Sequence, residues 1–82
     1  MKYTAYPKGV CCKEIAFEME EGNVLHNVQF VGGCHGNLQG IGRLVEGMKA
    51  EEVIQRVQGI CCGSKTTSCP DQLARILQET IQ

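Results

Sequence analysis

Six cysteines fall in a chain of 82 residues, and each sits in a predicted loop or at the end of a predicted element. A domain this short buries only about 60–65% of its unfolded surface, so its core is small and a staple adds stability that burial alone cannot. The opening residues, Met1 to Lys8, lack the apolar segment of a signal peptide, so the expected location is cytoplasmic. In a reducing compartment, thiols serve metal or redox chemistry more readily than structural disulfides.

The final third of the chain carries the clearest local signal. Pro70 suits the first helical position, where a missing N–H costs nothing, and Asp71 brings a negative charge to the helix start. Leu73, Ala74, Ile76, Leu77 and Ile81 follow at helical spacing. This reading makes Cys69 the N-cap of a terminal helix, where the dipole eases ionisation of a thiol.

Earlier segments read as a sheet followed by helices. Tyr3 to Tyr6 is a short edge strand stopped by Pro7 and Gly9. Residues 13 to 20 alternate, with Ile15, Phe17 and Met19 on one face and Glu14, Glu18 and Glu20 on the other. Glu21-Gly22-Asn23 turns the chain into a second strand over 24 to 31, in which Val24, Val28 and Phe30 keep period two while Leu25 and Val31 are off phase. His26 lies in that strand and reads as a surface or sheet-packing residue. Leu38, Ile41, Leu44, Val45 and Met48 then define a helix face, with Gly47 at its C-terminal end. Two glycines inside that helix, Gly40 and Gly42, ask for a reason such as close approach of a neighbouring backbone. Glu51 to Val57 forms a shorter helix ended by Gly59. The expected fold class is α+β: a small antiparallel sheet of two to three strands, then three helices packed on one face, in one domain over residues 1–82.

Charge excludes some functions. Eight basic and nine acidic residues give a net charge of -1 with no basic run, so a cationic nucleic-acid face is not expected. No apolar run approaches the roughly 18–20 residues that a membrane span needs.

The cysteines are Cys11, Cys12, Cys34, Cys61, Cys62 and Cys69. Cys34 precedes the first helix much as Cys69 precedes the last, so two helix N-termini each present a thiol. In the absence of a bulge, Cys11 shares the covered face with Ile15 and Cys12 points away. Neither adjacent pair is expected to send both side chains to one place. One cysteine from each pair, with Cys34 and Cys69, makes four thiolates, which suits tetrahedral zinc or an iron–sulfur cluster. Buried apolar packing, disulfides and metal-free redox thiols are competing readings. His35, beside Cys34, is placed outside the ligand set because adjacent residues seldom converge on one ion. The segment Gly32-Gly33-Cys34-His35-Gly36 is a weak match to a phosphate cradle. Ser64, Thr66, Thr67 and Ser68 read as loop and capping groups.

Nearly the whole chain resembles the TSCPD domain family, whose defining run stands here as Thr67-Ser68-Cys69-Pro70-Asp71. The resemblance extends over Gly9-Val10-Cys11, Val28 to Cys34, Gly36-Asn37-Leu38-Gln39-Gly40-Ile41, Leu44-Val45-Glu46-Gly47, Gly59-Ile60 and Cys62-Gly63. It implies that Cys11, Cys34, Cys62 and Cys69 are the metal-binding positions and that Cys12 and Cys61 are extras. Domains of this family also occur at the C-terminus of cobalamin-dependent ribonucleotide reductases, which implies a link to deoxynucleotide synthesis and such a reductase as partner. A looser resemblance is to U-type iron–sulfur cluster scaffold proteins, with Cys11, Cys34 and Cys69 as the scaffold thiols. The Asp that follows the first cysteine in those scaffolds is replaced here by Cys12 and Lys13, which favours a permanently held metal over cluster transfer.

The expected function is therefore a small accessory module that binds zinc or an iron–sulfur cluster and has no active site of its own. A thiol redox partner and a cluster assembly scaffold are the alternatives. A homodimer suits the exposed edge strand and small core.

Overall fold

Alternation of Ile15, Phe17 and Met19 loads one face of a single strand with apolar side chains, and that strand becomes the centre of the sheet. The computed structural model describes residues 1–81. Strands β1 (Lys2–Ala5), β2 (Cys12–Glu20) and β3 (Val24–Gly32) form an antiparallel sheet in the order β1-β2-β3. Tyr3 pairs with Phe17 across β1 and β2, and their rings stack at 5.3 Å. Tyr6, expected in β1, lies beyond it and is exposed.

Helices α1 (His35–Leu44), α2 (Ala50–Val57) and α3 (Cys69–Thr80) follow. Leu38, Val53, Ile54, Leu73, Ala74 and Leu77 from the helices share one core with Ile15, Phe17, Met19, Leu25 and Val28. The fold is α+β, as the alternation and helical stripes predict. No helix among the described residues is long and apolar enough to cross a membrane.

Two bulges change which residues face inward. On β2, the two steps from Cys12 to Glu14 match a single step from Gly32 to Val31, which leaves Lys13 as an extra residue. The facing pattern flips there: Cys12 is buried and Cys11 exposed, the reverse of the expected assignment. On β3, three steps from His26 to Gln29 oppose two from Glu18 to Ala16, and Asn27 adopts a left-handed φ of 54°. This second bulge lets off-phase Leu25 and in-phase Val28 both point into the core.

The first helix ends earlier than its apolar stripe suggests. After Leu44 the chain leaves the helix and runs beside the start of β3, where the Gly47 amide donates to the Leu25 carbonyl at 2.8 Å. The Leu25 amide donates to the Met48 carbonyl at 2.9 Å, and the Ala50 amide to that of Asn23 at 2.8 Å. Leu44, expected in the core, is 78% exposed, whereas Val45 is buried. Glu46 joins this connector to the β3 bulge, accepting from the Asn27 amide at 2.8 Å and contacting His26 Nδ1 at 2.6 Å. The Asn27 amide and His26 hold the Glu46 carboxyl below its ordinary range, while Glu46, aided by Glu20, holds His26 above its own. His26 is thus a surface ion-pairing residue.

Of the two internal glycines of α1, one has the expected reason. A Cβ on Gly42 would stand 2.5 Å from the Val28 carbonyl oxygen, so its absence lets α1 lie directly against β3. A Cβ on Gly40 would meet nothing within 4 Å. Gly42→Ala is therefore expected to destabilise the fold by about 1–3 kcal/mol through forced separation of helix and strand. Gly40→Ala should stabilise it by up to about 1 kcal/mol through helix propensity. Urea denaturation of the two variants checks both signs.

Candidate functional site

The Thr67-to-Asp71 run works as a clamp. Ser68, not Cys69, is the N-cap of α3: its Oγ accepts from the Asp71 amide at 3.1 Å, which places Cys69 and Pro70 in the first turn. The same Ser68 hydroxyl donates to the Ile60 carbonyl at 2.7 Å. Asp71 is buried, and its carboxylate accepts from the Thr67 hydroxyl at 2.5 Å and from the Gly59 amide at 2.7 Å, with Arg75 Nε at 3.0 Å. The Cys62 amide donates to the Thr67 carbonyl at 3.1 Å. The loop between α2 and α3 is thus fastened at Gly59, Ile60 and Cys62, and Cys62 is carried toward the start of α3.

Four of the cysteines line one cavity of about 190 Å³: Cys11 before β2, Cys34 at the N-cap of α1, Cys62 in the clamped loop and Cys69 in the first turn of α3. Val10, Leu38, Ile41 and Pro70 supply apolar walls, and Lys65 adds a cation. Cys69 is buried, whereas Cys11, Cys34 and Cys62 are exposed. The Cys11 and Cys69 sulfurs are 3.8 Å apart. Gly33 makes room for this arrangement, because a Cβ there would stand 2.9 Å from Cys11 Sγ and 3.0 Å from Leu38 Cδ1. Among the described residues, no group of three or more His, Cys, Asp or Glu side chains is gathered closely enough to hold an ion. The four thiols face a common space rather than a common point.

The two remaining cysteines do not line this cavity. Cys12 is a core residue, 1% exposed, and burial, with Cys69 beside it, pushes its thiol up to about 12. It stays protonated at neutral pH and packs as a small apolar group. Cys61 is exposed, with its thiol directed to the Gly59 carbonyl at 3.5 Å. His35 is also exposed; its ring meets Gln39 and borders a separate cleft between α1 and β3.

The buried role of Asp71 is the functional-site feature that helix-dipole reasoning misses. A signal was present, since Ser68 and Asp71 stand at the spacing of an N-cap residue and its third-position acid. Hydrogen bonds from Thr67 and Gly59, with help from Arg75, hold the Asp71 carboxyl below its usual range against the opposing effect of burial. A carboxyl lowered on folding contributes stability that is fully present above the pH where a free aspartate titrates, about 4, and is lost as pH falls through the folded value. Asp71→Asn should cost roughly 2–3 kcal/mol at neutral pH, because an amide NH2 would face a donor, Thr67 or Gly59. It should also flatten the acid limb of a stability-versus-pH curve measured by thermal unfolding.

No curated protein matches the chain, and no solved structure matches it. A family model for the TSCPD domain matches residues 1–81. That match covers β1, all four cysteines of the cavity and the clamp that opens α3. The chain belongs to the TSCPD domain family.

Proposed function

We propose that this domain is a metal-binding accessory module in which Cys11, Cys34, Cys62 and Cys69 hold Zn²⁺ or an iron–sulfur cluster. The observation that carries this reading is the lining of one small cavity by four thiols from four separate segments. Four sulfur donors with no carboxylate among them fit soft or borderline metals. Bound there, Zn²⁺ would cross-link the segments, and a cluster would add the capacity to carry an electron.

The surrounding residues prepare the thiols for that task. Cys34 and Cys69 stand at the starts of α1 and α3, so two helix N-termini each bring a sulfur to the cavity. Lys65 places a positive charge among sulfurs that would repel one another once ionised. The Asp71 clamp fixes the loop that carries Cys62. Cys11, Cys34 and Cys62 are exposed, and binding would draw their side chains toward the buried Cys69. The link to ribonucleotide reduction, and a reductase as partner, rests on family membership.

Protein purified without oxygen is expected to carry about one equivalent of zinc, or the iron of one cluster, and to lose it in Cys69→Ser. Elemental analysis decides the matter: less than about half an equivalent in the parent chain, unchanged in Cys69→Ser, would overturn the reading. A chelator should also lower the melting temperature of the loaded protein, since a group that binds only the folded chain stabilises it.

A further inference from the structure

We infer that Cys11 and Cys69 form a reversible disulfide between the entry to β2 and the first turn of α3, and that metal in the cavity blocks it. The second clause rests on the metal reading above, and the first does not. The two sulfurs, 58 residues apart in sequence, are 3.8 Å apart in the fold with both thiols free. A disulfide bond is about 2.05 Å long, so the two sulfurs have only about 1.8 Å left to close.

The pair is divided in the way thiol–disulfide exchange requires. Cys11 is exposed and can meet an oxidant from solution, whereas Cys69 is only 5% exposed and is shielded from any but the smallest. The absence of a side chain at Gly33 keeps the space that the Cys11 sulfur occupies. With a small-molecule disulfide as oxidant, the Cys11 thiolate attacks one sulfur, giving a mixed disulfide and releasing one thiol. Cys69 then attacks the Cys11 sulfur, closing the protein disulfide and releasing the second thiol. Two protein thiols are oxidised, one disulfide is reduced to two thiols, and the two protein protons pass to the released thiols. A sulfur in this bond is no longer a thiolate, so oxidation removes two of the four proposed ligands at once.

The test treats metal-free protein with oxidised glutathione, alkylates the remaining thiols and maps the peptides by mass spectrometry. The expected result is a peptide linked through Cys11 and Cys69, absent in Cys11→Ser and reversed by dithiothreitol. Cys11 is exposed, so its replacement leaves the core intact, and circular dichroism verifies that. Retention of all six thiols, or a bond at another pair such as Cys61 with Cys62, overturns the inference. Protein loaded with zinc beforehand should form the bond about tenfold more slowly or slower. Equal rates with and without zinc remove the blocking claim and the metal reading, while the disulfide itself stands. Zinc retention without any disulfide in the metal-free chain does the reverse.

Discussion

The carboxylate of Asp71 is the interaction on which the cysteine end of the molecule depends. It is buried, yet accepts hydrogen bonds from Thr67 and Gly59 and pairs with Arg75. A buried charge is tolerated only where its lone pairs are answered, and here the answering groups belong to the loop that must be held. The cost of burying the charge and the ordering of the loop are therefore one event. Cys62 rides on that loop, and Cys69 sits two residues before Asp71 on the helix that the clamp starts.

Much of this was legible in the residues and some of it was not, for identifiable reasons. The strand around Ile15, Phe17 and Met19, the terminal helix and the close approach at Gly42 all follow from side-chain period or from the cost of glycine in a helix. The bulges at Lys13 and Asn27 did not follow, because one extra residue reverses the facing of everything beyond it and leaves little mark on composition. That is why Cys11 and Cys12 exchange their expected places. The N-cap lies one residue before the position that Pro70 suggests, because proline is tolerated anywhere in the first turn, whereas the Ser68 hydroxyl has a specific amide to accept from. The helix α1 stops short of its apolar stripe because Met48 stays half-buried through strand-like pairing with Leu25 instead of helical packing.

The six thiols divide by environment rather than by sequence neighbourhood. In the pair Cys11 and Cys12, one borders the cavity and one enters the core. In the pair Cys61 and Cys62, one points to the Gly59 carbonyl and the other lines the cavity. Consecutive side chains diverge, so each pair supplies a single sulfur to the shared space. The selection of Cys11, Cys34, Cys62 and Cys69 by family pattern thus coincides with the lining of one cavity.

The connector after α1 has an effect remote from the thiols. By bonding to Asn23 and Leu25, it occupies backbone groups that the start of β3 would otherwise present to another chain. Further along, α1 lies against Val28 with only a glycine between them. Unpaired strand margins invite a neighbouring chain to add on, and the start of this margin is capped by the protein's own next segment. The opposite margin, β1, has no strand outside it among the described residues and is only four residues long, with Lys2 at its start. At the start of β3, the chain itself therefore takes the place that a strand from another molecule would need.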